Sequence, residues 1–135
     1  EGIRQVREIL NPLGIDVLVV DLSMHEIHID GAFLMLDVDL ALVNVTLLPY
    51  SFLEELRSRN IRMIGLNSED DPWLANGLAI APGRVVMPKE LMSRATSAAL
   101  NKHGVEIIPI EFDKMQLNGG GIHCSTCPLV RDSVD

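Results

Sequence analysis

The order strand, strand, helix, strand occurs twice along this chain. The first copy comprises predicted strands at residues 33–36, 40–45 and 61–66 and a helix that begins at Pro49. The second copy comprises predicted strands at residues 77–81, 84–87 and 105–110 and a helix that begins at Pro88. A single unit of this kind cannot bury its own apolar face. A repeated ββαβ unit therefore predicts a cyclic or solenoid array in which neighbouring units share a core.

Turn and cap signals separate the predicted elements. Asp37-Val38-Asp39 and Pro82-Gly83 predict the turns between paired strands, and Gly104 predicts a left-handed cap after the second helix. Ser51 and Glu54 have the spacing of a capping box in the first helix. These turn and cap residues mark the ends of the predicted elements independently of the similarity between the two copies.

The two copies do not align at a single spacing. Pro49 corresponds to Pro88 at an offset of 39 residues, whereas the strand at 61–66 corresponds to the strand at 105–110 at an offset of 44. We therefore expect the second helix to be the longer of the two. An ordinary α/β sandwich with accidental internal similarity is the alternative.

Residues before the first copy predict the end of an earlier one. Residues 2–11 carry apolar side chains at helical spacing, and residues 15–20 form an apolar, β-branched run that favours a strand. The chain then holds about two and a half units. We expect further units upstream or in another chain.

Composition and charge narrow the class of protein. The 135 residues, 47% of them hydrophobic, suffice for one domain with a core. The net charge of −8 and the absence of a Lys/Arg cluster argue against a nucleic-acid partner. An acidic surface suits solubility and also suits a cationic substrate.

No apolar run approaches the roughly 20 residues of a membrane span, so we expect no membrane partner. Two cysteines are too few for a disulfide-stapled secreted fold, which predicts a reducing, cytoplasmic setting.

The segment Asn118-Gly119-Gly120-Gly121-Ile122-His123-Cys124-Ser125-Thr126-Cys127 is the densest in chemistry. Consecutive glycines let the backbone adopt positive φ angles and approach a ligand closely, and they leave amides available to an anion. A cysteine directly after such a loop can lie at the rim of a pocket, and nearby cationic groups would favour its thiolate, which is the reactive form.

Other interpretations of this segment stay open. A phosphate loop lacks its GxxxxGK[ST] or GxGxxG pattern. A zinc site built from His123, Cys124 and Cys127, with His25 or His28, lacks a second ligand pair at recognisable spacing. A CxxC redox pair and a glycine turn with inert cysteines complete the alternatives.

A second dense segment surrounds a predicted strand at residues 26–29. Because strand side chains alternate, Glu26, His28 and Asp30 would share one face while Ile27 and Ile29 share the other. The polar face would have to line solvent or a site, since its burial in an apolar core is unfavourable. An imidazole beside a carboxylate can exchange protons near neutral pH and hold a cation. An exposed edge strand with mixed polar residues is the alternative.

Together these two segments resemble the amidinotransferase family. The resemblance rests on His28-Ile29-Asp30-Gly31 and, far along the chain, on the run from Gly119 to Cys127. Asp71-Pro72-Trp73, the hairpin at 77–87 and the helix after it also fall where similar segments fall in glycine amidinotransferases. That family belongs to the guanidine-modifying (pentein) superfamily, with arginine deiminases, agmatine deiminases and dimethylarginine dimethylaminohydrolases.

The resemblance implies a fold and a domain organisation. The family fold is an α/β propeller, a fivefold pseudosymmetric ring of ββαβ units around a central site, of which about half would be present here. Residues 1–135 would form the C-terminal part of a single catalytic domain, with the remainder upstream. A homo-oligomer is a further open expectation.

The resemblance also implies roles for individual residues. Cys124 matches the family nucleophile, His28 the catalytic histidine, and Asp30 a carboxylate that binds the guanidinium. Gly120 and Asn76 are expected to contribute to substrate binding. An acidic partner of the histidine is expected upstream. No metal or other cofactor is required.

The implied function is modification of arginine or a related guanidino compound through a covalent amidino-cysteine. Transfer to an amine would make the enzyme an amidinotransferase, whereas transfer to water would make it a hydrolase of the arginine deiminase or dimethylarginine dimethylaminohydrolase type. The His-Cys-x-Thr-Cys order favours the amidinotransferase. Cys127 is then left with a packing role. A non-catalytic metal-binding module that uses the Cys and His residues is the alternative from another class.

Overall fold

The structure is a computed structural model that describes residues 1–23 and 27–132. Within these residues the helices are α1 (Gly2–Leu10), α2 (Tyr50–Ser58) and α3 (Arg94–Lys102), and the strands are β1 (Phe33–Asp37), β2 (Leu40–Val43), β3 (Arg62–Gly65), β4 (Leu78–Ala81), β5 (Arg84–Pro88) and β6 (Glu106–Ile110). Short 3-10 turns lie at Asn11–Leu13, Ile29–Gly31, Pro72–Ala75, Lys89–Leu91, Met115–Asn118 and His123–Ser125. In this part of the chain, no helix combines the length and the apolar character that a membrane crossing requires.

The strands form two three-stranded sheets of the same topology. In the first sheet β1 pairs antiparallel with β2, and β2 pairs parallel with β3 after the crossover through α2. In the second sheet β4, β5, α3 and β6 repeat this arrangement. Each hairpin also carries a register shift at the same place, between Met35 and Asp37 in one and between Ala79 and Ala81 in the other. The predicted duplication of a ββαβ unit is confirmed.

The match between the two units differs from the sequence-based alignment. Leu40 and Arg84, Tyr50 and Arg94, and Arg62 and Glu106 begin equivalent elements, and each pair is 44 residues apart. Both helices have nine residues, so the prediction of a longer second helix is wrong. Pro88 ends β5 instead of starting a helix, and Ser93 is the N-cap of α3. The three-residue turn Lys89–Leu91 fills the space that the sequence had assigned to helix.

The predicted capping box in the first helix is wrong as well. Pro49 occupies the N-cap position, and no side chain caps the helix there. Ser51 is consequently the second residue of the helix and not its N-cap, the position from which a serine would accept from the free amides of the first turn. Glu54 pairs with Arg57 on the exposed helix surface instead.

In the described residues, two predicted strands do not form. Residues 15–20 belong to no strand, because neither sheet of the described chain pairs with them. Of the strand predicted at 26–29, Glu26 lies outside the described residues, and Ile29–Gly31 is a 3-10 turn. That turn satisfies the backbone locally, since the amide of Ala32 donates to the carbonyl of Ile29. Sheet pairing therefore starts only at β1.

The core is shared between the two units. One buried cluster draws side chains from both sheets and from α3, with members Leu34, Leu36, Leu40, Leu42, Ile64, Leu74, Val85, Met87, Leu91, Leu100 and Val105. A second cluster seats α2 against the first sheet, with Phe33 and Phe52 in edge-to-face contact at a centroid distance of 5.3 Å. A backbone hydrogen bond from Gly83 to Leu36 also joins the hairpins. The two units therefore pack as neighbours, and the turns that precede β1 and β4 lie on the same side of them.

Candidate catalytic site

Three short turns from distant parts of the chain meet at one place. Ile29–Gly31 precedes β1, Pro72–Ala75 precedes β4, and His123–Ser125 follows the glycine loop. They bring Asp30, Asn76 and Cys124 into hydrogen-bond contact. The sequence placed Asp30 on a strand face and Cys124 in the glycine loop. In the structure, Asn76 from a third segment joins them.

Asn76 connects the other two segments and is fully buried. Its side-chain amide nitrogen donates to the carbonyl oxygen of Asp30 at 3.1 Å and to Sγ of Cys124 at 3.1 Å. Its side-chain oxygen accepts from the amide of Cys124 at 3.0 Å, and its carbonyl accepts from the amide of His123 at 3.0 Å. Both side-chain N–H groups and the oxygen are thus used, so Asn76 fixes the position of the cysteine from its sulfur and from its backbone.

Asp30 presents its carboxylate to the cysteine. Nδ1 of His123 donates to Oδ2 of Asp30 at 2.8 Å, and the thiol of Cys124 donates to the same oxygen with an Sγ to Oδ2 distance of 3.6 Å. Burial raises the pKa of Asp30, but the hydrogen bond and charge of His123 and the hydrogen bond from Cys124 outweigh burial, so its pKa is lowered. Asp30 is therefore a carboxylate at neutral pH. Its Oδ1 is buried and has no hydrogen-bond partner among the described residues.

The glycine loop brings the backbone close to the cysteine. Gly120 has a φ of 104°, a conformation that residues with a side chain rarely adopt, and a Cβ there would lie 3.3 Å from Cβ of Cys124. A Cβ on Gly121 would lie 2.6 Å from Cβ and Oδ1 of Asn76. The two glycines consequently allow the loop to pass against Asn76 while Cys124 stays exposed.

Cys124 lies on the wall of a cavity of about 660 Å³, a volume typical of small-molecule sites. The residues that line it are Ile27, His28, Asp30, Gly31, Trp73, Gly119, Gly120, His123, Cys124 and Thr126. His28 has an extended backbone and an exposed side chain. Within the described chain it makes no hydrogen bond to Cys124 or Asp30. The cavity is therefore lined by a thiol, a carboxylate and two imidazoles, with space for a ligand between them.

The structure brings the predicted site residues together. Cys124, His28, Asp30 and Gly120 line the cavity, although His28 and Asp30 reach it from an irregular segment and not from a strand. Asn76 does not line the cavity, and its contacts are with Cys124 and Asp30.

His123 is the residue whose contact the sequence did not predict. It was considered only as a metal ligand, yet it binds Asp30. No sequence signal pointed to this contact, because it joins residues 93 apart in the chain.

Cys127 does not line the cavity that Cys124 lines. It borders a smaller neighbouring cavity with Leu78, Pro128 and Arg131. In residues 1–23 and 27–132, no group of three His, Cys, Asp or Glu side chains is arranged to hold a metal ion. His25, one of the ligands considered for zinc, lies outside those ranges.

A family model described as arginine deiminase matches residues 63–131, just over half of the chain. The chain belongs to this family. An arginine deiminase from Limosilactobacillus fermentum is 33% identical over 60 residues, which are 44% of this chain and 14% of that protein. The matched stretch therefore spans a small part of the curated relative.

Solved structures extend the likeness to other guanidine-modifying enzymes. An amidinotransferase from Microseira wollei in the saxitoxin biosynthetic pathway matches with a TM-score of 0.79 at 20% identity, covering 98% of this chain and 42% of that one. A DDAH from Pseudomonas aeruginosa, a cysteine-to-serine mutant complexed with citrulline, matches with a TM-score of 0.68 at 22% identity, covering 88% and 43%. At these identities the likeness shows the fold. This arginine deiminase family member has the predicted α/β pentein fold, and it spans less than half of each of these structures.

Proposed function

We propose that Cys124 attacks the carbon of a guanidino group and forms a covalent amidino-cysteine. The observation that carries the proposal is the placement of Cys124 Sγ 3.6 Å from the Asp30 carboxylate, on a cavity that His28 also lines. Family membership supports guanidino chemistry in general. The roles of the individual residues are our inference from their positions.

The carboxylate of Asp30 supplies the attraction for a cation. A negative charge beside a sulfur nucleophile opposes a second negative charge, so the thiolate is favoured only when a positive group lies nearby. A guanidinium bound at Asp30 provides this positive charge. The same ion pair with Asp30 places the guanidinium carbon against Sγ of Cys124. Recognition of the substrate and activation of the nucleophile thus depend on one ion pair.

The geometry limits how Asp30 can bind. Oδ2 faces Cys124 and His123, whereas Oδ1 is buried. A fork with two guanidino nitrogens, as predicted from the sequence, requires both oxygens and hence a rotation of the carboxylate. Without that rotation, only Oδ2 of Asp30 is available, and it accepts a single N–H of the guanidinium.

The chemical steps are those of nucleophilic catalysis. The Cys124 thiolate forms a C–S bond to the guanidino carbon, and collapse of the tetrahedral intermediate breaks one C–N bond. His28 gives a proton to the departing nitrogen and then takes one from the second nucleophile. That nucleophile forms its bond to carbon, the C–S bond breaks, and the thiolate is regenerated. In this scheme Cys124 carries the covalent bond and His28 moves the protons in both halves of the reaction.

The second nucleophile decides between two enzyme classes. The family match and the curated relative favour water, which would make the enzyme a hydrolase of the arginine deiminase type. The amidinotransferase predicted from the sequence is the second candidate. Its support is the structural likeness to an amidinotransferase over 98% of the chain.

We further propose that residues 1–135 act as one part of a larger catalytic domain. The support is that the chain spans 42% of the amidinotransferase structure. The acidic partner of His28 would belong to the remainder. Activity should accordingly be measured on the full-length protein.

Serine substitution of each cysteine tests the proposal. In the full-length protein, Cys124→Ser should abolish release of citrulline or ammonia from arginine and transfer of the amidino group to glycine. Cys127→Ser is the matched control, since it makes the same change three residues away and outside the cavity, and it should retain activity. A mass increase on the peptide that carries Cys124, trapped by acid during turnover, should identify the covalent adduct.

Two results would contradict the proposal. One is unchanged turnover of a guanidino compound by Cys124→Ser. The other is stoichiometric zinc in the purified protein that both serine variants lose, which would support the metal-binding alternative instead. Release of citrulline or ammonia without transfer across a panel of amines would leave the hydrolase as the surviving class.

A further inference from the structure

Trp73 is the large aromatic side chain on the wall of the nucleophile's cavity. It borders the same cavity as Cys124, Asp30 and His28, and 37% of it is exposed. The proposed mechanism gives it no role. A half-exposed indole on the wall of a polar cavity offers a flat apolar face to whatever binds there.

The turn that carries Trp73 is also the turn that positions the nucleophile. Trp73 and Asn76 are three residues apart, and the amide of Asn76 donates to the carbonyl of Trp73 at 3.0 Å. In a 3-10 turn, side chains three residues apart lie on the same side. One element therefore carries both the indole that lines the cavity and, at its C-cap, the amide that holds Cys124.

That turn is fixed at its N-terminal end and anchored by burial. Oδ1 of Asp71 accepts from the amide of Trp73 at 2.9 Å, and the amide of Asp71 donates to the carbonyl of Leu91 at 3.0 Å. After Trp73, Leu74 and Ala75 are fully buried. The backbone of Trp73 is thereby held in place before any ligand binds, so an ordered contact with the ligand costs little additional entropy.

A guanidinium suits such a wall chemically. It is a planar, weakly hydrated cation that stacks on aromatic faces, and indole is the most favourable ring for a cation. Asp30 can pair with the edge of the guanidinium through N–H groups, while an aromatic ring contacts its face. The two contacts use different parts of one group and do not compete.

We propose that Trp73 is a specificity-determining residue of this site, whose indole face contacts the guanidinium of the substrate and selects it over an uncharged group of the same shape. This inference rests on the proposed function, because it assumes that a guanidino compound occupies the cavity. It adds a recognition element that Asp30 alone does not provide.

The test compares a cation with its neutral counterpart. Arginine and citrulline differ only at the group that Asp30 and Trp73 are proposed to contact, which is a charged guanidinium in arginine and a neutral ureido group in citrulline. Their Kd values are measured by calorimetry on the full-length Cys124→Ser protein, which should bind arginine without turnover. The same measurement is made after adding Trp73→Phe or Trp73→Leu. Leucine keeps an apolar side chain and removes the ring, and phenylalanine keeps a smaller ring.

Trp73→Leu should weaken arginine binding by about 3- to 30-fold, the range expected for a cation on an indole face. Citrulline binding should change by less than about 2-fold, and Trp73→Phe should fall between the parent and the leucine variant. Equal losses for both ligands would reduce Trp73 to an apolar wall and overturn the proposal, as would unchanged arginine binding. If the leucine variant does not fold, the phenylalanine variant decides by the same criterion.

Failure of the proposed function gives a different pattern. In that case the Cys124→Ser parent, with Trp73 intact, binds no guanidino ligand, and the inference about Trp73 falls with it. A parent that binds arginine and a Trp73→Leu variant that binds it equally well refutes the role of Trp73 alone.

Discussion

Gly121 is the position where one added methyl group should disturb the site most directly. Its φ is not in the left-handed region, so alanine is acceptable to the backbone there. The obstacle is Asn76, because the new Cβ would lie 2.6 Å from its Cβ and Oδ1 and 2.9 Å from its Cγ. Non-bonded carbon atoms prefer about 3.5–4.0 Å, so Asn76 must move by about 1 Å.

That displacement has a calculable cost. The Asn76 side chain is fully buried and is bound to the carbonyl of Asp30 and to the sulfur and amide of Cys124. Loss of these three hydrogen bonds at about 1 kcal/mol each gives about 3 kcal/mol. The direct cost of overpacking a well-packed site, about 1–3 kcal/mol, has the same size. Gly121→Ala should therefore lower the free energy of unfolding by about 3 kcal/mol.

Gly119→Ala is the matched control. Gly119 has a φ of 79° but a Cβ there would meet no atom within 4 Å, so alanine introduces backbone strain without a collision. A φ of 79° with a ψ of 137° lies outside the left-handed helical region, and the expected loss is about 1–3 kcal/mol. Urea unfolding of the full-length variants measures both changes.

A second readout separates a local effect on the site from a general loss of stability. The rate at which iodoacetamide alkylates Cys124, followed on its own peptide, should differ from wild type in Gly121→Ala, because the side chain that holds Sγ in place has been displaced. It should stay near wild type in Gly119→Ala. If Gly121→Ala destabilises no more than Gly119→Ala and leaves the alkylation rate unchanged, Asn76 does not hold the cysteine as described.

Two further predictions concern the groups around the nucleophile. His28→Ala should lower kcat of the full-length enzyme by about 10²–10⁴-fold, as expected for loss of an acid-base group, and a decrease of less than about 3-fold would remove His28 from that role. Asp30→Asn should change the pH dependence of stability, measured by urea unfolding. The folded-state pKa of Asp30 lies below its ordinary value of 3.8, so the folded protein binds fewer protons at this group than the unfolded chain does. The stability that wild type gains over Asp30→Asn should be complete above about pH 5 and should decrease as the pH falls below about 4, whereas a difference that grows in acid would contradict the lowered pKa.

The strands of both units were predictable because their signals are local. The apolar segments at β2 and β5 are bounded by turn residues, and the Pro82-Gly83 turn fixes one hairpin. Pro88 was misassigned because proline fits the last residue of a strand as well as the start of a helix. Residues 15–20 were misassigned because their β-branched run describes a preference, and a strand also needs a partner edge.

The site was predictable only in part for a related reason. The identity of Cys124, His28 and Asp30 followed from motifs, and all three reach one cavity. The hydrogen bond between His123 and Asp30 joins residues 93 apart in sequence, so only the fold could reveal it. The central position of Asn76 depends likewise on contacts 46 and 48 residues away.

Those two separations connect the site to the repeat. Equivalent elements of the two units are 44 residues apart, while Asp30 and Asn76 are 46 apart and Asn76 and Cys124 are 48 apart. Asp30 and Asn76 each lie within three residues of the first strand of a unit, and Cys124 lies in the segment that follows the last strand of the second unit. In a pseudosymmetric array, equivalent positions of successive units face the same axis. Residues that occur once per repeat therefore meet at one site without any local sequence signal. Further residues of this site should accordingly be sought in the loop before the first strand of each unit.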